Sequence, residues 1–239
     1  MKKGFTLAEI LVAFAIVAVV ASMTIPNLVS SYKKQLMIKS LPKAMNILSK
    51  ACSNVIMQEG AYGLFDSSAW KEMEAGTPVS EAILNHFQKT MSIDKATYYA
   101  IPKTIYGEDI EELFKDYTVF STKDDITYFI KPILLGNNEI NYNKYMIAAD
   151  VLVDINGNNI PNTIGQDIYG FLLTNEGRML PYGTISEADI IMFDAETTSA
   201  GDSSRYTNSW KTKCPDSAKI DQGFACTGKV LKEDIKMNY

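Results

Sequence analysis

From Phe5 to Val29 the chain runs almost without interruption through apolar residues, and Glu9 is its only charge there. At about 1.5 Å per residue these 25 residues make a helix of roughly 37 Å, enough to cross a bilayer core. No other stretch comes near that length, so the rest is expected to be water-exposed. A secretory signal peptide would share the basic start Met1-Lys2-Lys3. It would not share so long an apolar run, or a carboxylate near its beginning. A charge at the centre of a membrane helix costs about 2.5 kcal/mol or more, and less near an end. Glu9 either snorkels to the membrane surface or has a partner.

Charge divides the chain. Residues 1–57 hold seven lysines and one acid, a net +6, which leaves −11 for the remainder of a chain whose total is −5. An acidic head repels nucleic-acid phosphates. The two arginines, Arg178 and Arg205, are poor equipment for bidentate base or phosphate contacts, so no specific nucleic acid is expected as a partner. The 46% apolar and 21% charged composition is that of a folded domain.

The segment Lys2-Lys3-Gly4-Phe5-Thr6-Leu7-Ala8-Glu9 resembles the leader and first residues of a type IV prepilin, the precursor of pilins and pseudopilins. The resemblance covers about the first 30 residues. It implies a leader at 1–4, cleavage by prepilin peptidase between Gly4 and Phe5, N-methylation of Phe5, and a role for Glu9 in assembly. It also implies a kink or local melting at Pro26. The physics agrees with such a design. A Gly before the cut lets the backbone approach a protease closely. Cleavage leaves the apolar segment in place, and Glu9 can neutralise the new Phe5 amine on its own chain or on a neighbour. The partners implied are prepilin peptidase, other pilin or pseudopilin subunits, an inner-membrane assembly platform and membrane lipid. Lysines flank both ends of the span, so charge alone does not orient it. The resemblance places the head outside the cytoplasm.

Residues 5–29 are thus read as the membrane or filament-core helix, 30–57 as an amphipathic stem helix and 58–239 as the head. On the stem, Tyr32, Leu36, Ser40, Leu41, Ala44, Ile47, Leu48, Ala51, Val55 and Ile56 recur at steps of three and four. Pro42 should bend or split this helix. Beyond Gly60, Ser80 is expected to cap a helix carrying Ile83, Leu84, Phe87 and Met91. A short helix should hold Ile110, Leu113, Phe114 and Tyr117. Strands are expected at Ile126–Lys131, Tyr145–Asp154 and Ile168–Thr174, and a turn at Asn175-Glu176-Gly177 leads to Arg178-Met179-Leu180. Residues 196–213 read as a loop. The fold class is α+β: a long N-terminal helix packed on a head with an antiparallel sheet.

Cys214 and Cys226 bracket a loop containing Pro215 and Gly223. In an oxidising space a disulfide closes it, and the pilin resemblance implies the same. Cys52 lies beside the apolar stripe of the stem and reads as a buried small residue rather than a nucleophile. Asp154, Asn156 and Asn158 alternate like the first ligands of a calcium loop, and Asp167 could close the shell. Gly157 stands where an EF-hand has no Gly, however, and no Glu stands at the twelfth position. The other reading is a turn between strands, built of Asn, Gly and Pro because these favour turns. Calcium is therefore the one cofactor considered.

No catalytic residue is assigned. The lone histidine, His86, falls in a predicted amphipathic helix, and nucleophile elbows, phosphate loops and dinucleotide fingerprints are absent from the sequence. Glu111-Glu112 and Asp124-Asp125 read as solvated charge. The expected function is a structural filament subunit and not an enzyme. The alternative is a membrane-anchored binding protein, an adhesin or a DNA-uptake component, acting through head loops.

Overall fold

The computed structural model describes residues 6–94, 101–134, 145–186, 190–191, 214 and 223–232. Gly4, Phe5 and the 196–213 loop lie outside the described residues. The chain opens with one helix, α1 (Leu7–Glu59). It stops at Gly60, whose φ of 64° is left-handed, and the Ala61 N–H closes back on the Ile56 carbonyl at 3.0 Å. The helix is continuous through Pro26, and Pro42 does not split it. Packing of the stem on the head outweighs the lost hydrogen bond at Pro42. The 57/58 boundary drawn from sequence falls inside α1, and the residues before it supply one wall of the head's core.

Three short helical pieces follow: a 3₁₀ turn (Leu64–Asp66), α2 (Ser68–Glu74) and α3 (Val79–Met91). The α2 helix is capped by Ser67, which accepts from the Trp70 N–H. Ser80 does not cap α3: the cap position is Pro78, and Ser80 is the second helical residue. Proline pre-sets the backbone there without a side-chain cap. As expected, Ile83, Phe87 and Met91 are buried. The helix α4 (Glu111–Phe114) is only one turn long.

The strands are β1 (Ile93–Asp94), β2 (Thr118–Thr122), β3 (Thr127–Pro132), β4 (Tyr145–Asp154), β5 (Ile168–Thr174), β6 (Met179–Pro181) and β7 (Ile190–Ile191). The first six form an antiparallel sheet in sequence order, and β7 adds in parallel to the start of β4. A last helix, α5 (Cys226–Lys232), packs near β5 and β6.

Alternation along the strands builds two cores. Tyr128, Ile130, Val151, Val153, Tyr169, Phe171 and Leu173 face α1, which contributes Ile38, Leu41, Ala44, Leu48, Ala51, Cys52 and Val55. Phe129, Leu152, Ile168 and Leu172 point the other way, toward Phe114, Tyr117, Ile164, Tyr182 and Phe224. A bulge between Ile147 and Ala149 lets the neighbours Ala148 and Ala149 both face the α1 side. The Tyr128 hydroxyl donates to the Ala44 carbonyl at 2.9 Å, pinning the stem to the sheet.

Gly170 lies hard against the Tyr182 ring of the second core. A Cβ there would lie 2.2 Å from the Tyr182 ring. Gly170→Ala should therefore destabilise the full-length chain in detergent by about 3 kcal/mol, read as a lower denaturation midpoint.

Candidate functional site

At the N-terminal end of α1, Thr6 and Glu9 form a capping box. The Glu9 carboxylate accepts from the Thr6 N–H at 2.8 Å and from its hydroxyl at 2.9 Å, and the Thr6 oxygen accepts from the Glu9 N–H at 3.3 Å. Two otherwise unpaired donors of the helix end are satisfied, and the acid sits at the positive end of the helix dipole. Glu9 thus has a partner on its own chain, Thr6, the second residue after the expected cleavage point. The Thr6-x-x-Glu9 spacing is a capping signature visible in the sequence, and it explains a carboxylate at this position without any neighbour.

Above the box the helix is bare. From Thr6 to Val29 every side chain is exposed except the half-buried Ala21. Among the described residues α1 is the one helix long and apolar enough to cross a membrane. Thirteen large apolar side chains stand open between Leu7 and Val29, among them Leu7 at 78% and Leu28 at 71%. Leaving that surface in water costs on the order of 15 kcal/mol, as much as the net stability of a whole domain, about 5–15 kcal/mol. Lipid or protein must cover it.

In the head, Cys214 and Cys226 are disulfide-bonded, with Cα atoms 5.0 Å apart. Cys52 is free and fully buried, and burial pushes its thiol up to about 12. His86 lies between two carboxylates: its Nε2 is 2.9 Å from Glu72 and its Nδ1 is 3.6 Å from Glu59. The two contacts leave from opposite sides of the ring, so the three groups tie α1, α2 and α3 together and cannot converge on one ion. Of the paired acids, Asp124 bridges to Lys43 on the stem at 2.9 Å, and Glu112 bonds Lys115. Sequence reading missed Asp150, a buried carboxylate on β4 that accepts from the Tyr117 hydroxyl at 2.5 Å and from the Tyr182 hydroxyl.

The 154–167 segment is a tight connection between β4 and β5. The Asp167 carboxylate accepts from the Asn162 N–H at 2.7 Å and from the Thr163 N–H at 2.6 Å; Asp154 accepts from the Asn156 N–H at 3.0 Å. Both acids are fully buried, and Asn158 is exposed. Burial holds the Asp167 carboxyl above its ordinary value, against these backbone donors, which pull it down. The Asn156 amide lies near enough to Asp167 to lower it slightly. It makes no hydrogen bond of ordinary geometry, and both its polar atoms are shielded from solvent. The loop therefore closes on itself with one amide left over, and it fits a calcium shell only in part. Among the described residues no group of three or more His, Cys, Asp or Glu is placed to hold a metal.

Residues 1–25 match the family model of the prokaryotic N-terminal methylation motif, the prepilin-type motif of pilins and pseudopilins. Neither the curated proteins nor the solved structures give a match to the chain.

The cysteines give a direct test of this geometry. Without reductant, the native chain should take up no iodoacetamide, and denaturant should expose one reactive thiol, Cys52. Denaturant plus reductant should expose all three, counted by intact mass. Labelling of the native chain would mean that Cys52 is not enclosed.

Proposed function

We propose that the chain is a structural subunit of a type IV pilus or of a related secretion-type filament, a pilin or pseudopilin. Supporting this reading is one observation above all. The methylation motif opens a helix whose large apolar side chains from Leu7 to Val29 stand uncovered, while the same helix, from Ile38 on, is built into a folded head. In this reading the membrane stores the subunit with the head outside the cytoplasm, a compartment consistent with the Cys214–Cys226 disulfide. Prepilin peptidase removes residues 1–4 and methylates Phe5. The apolar stems then leave lipid and pack on one another, and the head is displayed. The helix exchanges one apolar environment for another, so the transfer carries little hydrophobic cost. Glu9 exchanges its Thr6 donors for the positive Phe5 amine of a neighbour, or shares itself between them. The subunit performs no catalysis.

Calcium in the 154–167 loop is a second, separable reading. It is favoured by the Asn156 amide, whose oxygen is buried without a hydrogen-bond partner between two carboxylate-bearing positions. Asp154, Asn156 and Asp167 would hold the ion, with Asn158 at the rim. If so, calcium raises the thermal midpoint of the chain by several degrees over EDTA, and Asp154→Asn removes the difference. Equal midpoints would leave a plain turn.

Co-expression with an active prepilin peptidase should yield a mature chain beginning at methylated Phe5 by mass spectrometry, and Gly4→Val should block the cut. Glu9→Ala should be cut normally yet fall at least tenfold in sheared filament fractions. A mature terminus beyond Val29 would instead mark an ordinary secreted protein and sink this reading.

A further inference from the structure

Away from the residues that α1 buries, an exposed stripe runs at helical spacing: Ile25, Val29, Tyr32 and Leu36, then Lys39, Lys43, Asn46 and Lys50. All eight are exposed. The apolar half of the stripe becomes a lysine half within one turn. Two copies packed side by side at the same height would set these lysines against one another. Like charges disfavour that arrangement, so the stripe selects against in-register pairing of stems.

Acids collect at the other end of the same helix. The Ser68 N–H donates to Glu59 at 2.7 Å, which puts the start of α2 at the end of α1. The α3 helix runs back along α1: Thr90 meets Asn54, and His86 meets Glu59. The start of α3 therefore lies beyond Glu59. Asp66, Glu74 and Glu81 are exposed around this end, and Glu72 is half-buried there, with Lys71 as the nearby base. The helix carboxyl end adds its own partial negative charge, with no basic residue in its last turn. This acidic end stands nine to twenty residues past the lysines, roughly 14–30 Å along the axis.

We infer that the lysine stripe of α1 is a docking surface for a second copy of this chain, displaced along the helix axis so that its acidic end, Asp66, Glu74 and Glu81, meets Lys39 and Lys50. Lys43 is already held by Asp124, so the outer two lysines carry the contact. The contact is heterologous, one surface of a copy on a different surface of the next, and repetition produces an open polymer rather than a closed dimer. The inference rests on the filament reading and adds to it what sets the stagger of the copies.

The test uses the full chain, half of it ¹⁵N-labelled, in phosphatidylcholine vesicles at low salt. A carbodiimide joins lysine amines to carboxylates in contact. Mixed-isotope cross-links from Lys39 or Lys50 to Asp66, Glu74 or Glu81 are expected, and 0.5 M NaCl should reduce them about tenfold, as screening does to exposed pairs. Lys39→Glu/Lys50→Glu should abolish cross-linking at the remaining lysines to these acids, and mixing it with Glu74→Lys/Glu81→Lys should restore association through the reversed pairs. The idea is overturned if mixed-isotope products are absent, if these lysines join acids elsewhere, or if the charge reversals leave association unchanged. Retention of wild-type chain only by vesicles with anionic lipid would overturn it in favour of a headgroup partner. Should the reversed variants misfold, the wild-type cross-link map still decides. Leader cleavage at Gly4 is scored separately, so failure of the filament reading is distinguishable from failure of the docking surface.

Discussion

Everything in this molecule depends on how one helix divides its surface. Between Ile38 and Val55, α1 buries a face against β3, β4 and β5, and the Tyr128 hydroxyl fixes its height by bonding the Ala44 carbonyl. Below Leu36 the same helix has nothing to lie on. The head cannot fold around its first core without the stem, because Leu41, Leu48 and Cys52 are fully enclosed there. Stability of the head and presentation of the bare segment are therefore coupled through one continuous backbone.

That coupling gives the charges their meaning. An isolated carboxylate in an apolar span would be a liability. Glu9 avoids this by lying within the first turn and taking both Thr6 donors. Its hydrogen bonds are local, so they form within a single chain and need no second one. A neighbour's amine would have to compete with an intact capping box, which makes Glu9 a selective partner: only a fully charged group placed close to it gains enough to displace backbone and hydroxyl donors.

The legible parts of the sequence were those with a long or strictly periodic signal. The apolar run, the strands β3, β4 and β5 and the turn at Gly177 read correctly because each follows a strong local rule. The stem stripe read correctly from Leu41 to Val55, whereas Tyr32 and Leu36 are exposed and lie off the buried face. The missed parts had short or non-local causes. The β2–β3 turn uses Asp125 at a positive φ of 59° in place of the glycine that usually announces such a turn. The seven-residue α2 depends on Ser67 and on burial of Trp70 more than on periodicity. Ser80 looked like a cap because nothing in the sequence shows that Pro78 already starts the helix. Asp150 breaks no strand pattern, and its tyrosines come from 33 positions before it and 32 after it, a pairing only the folded sheet creates. At the candidate site, Glu9 was visible, and its Thr6 partner was equally visible as a capping spacing. The calcium pattern was visible as composition alone, since the spacing of Asp and Asn does not say that Asp167 is occupied by two backbone N–H groups.

The prolines sit where this division of labour needs them. Pro42 lies on the packed half, where the core outweighs its missing N–H and the helix stays whole. Pro26 lies on the bare half, where no packing supports it, and it leaves the Ser22 carbonyl without its helical donor. Around it, Ser22, Thr24 and Asn27 turn their side chains back onto the carbonyls of Val19, Val20 and Met23. These three carbonyls already accept from the helix's own N–H groups, and none of the three bonds reaches the Ser22 oxygen that Pro26 strands; lipid offers that oxygen no donor either. The turn at Pro26 is consequently the weakest link of α1. It separates Glu9 below from the lysine stripe above. Two charge-bearing regions are joined there by the part of the helix with the least resistance to bending.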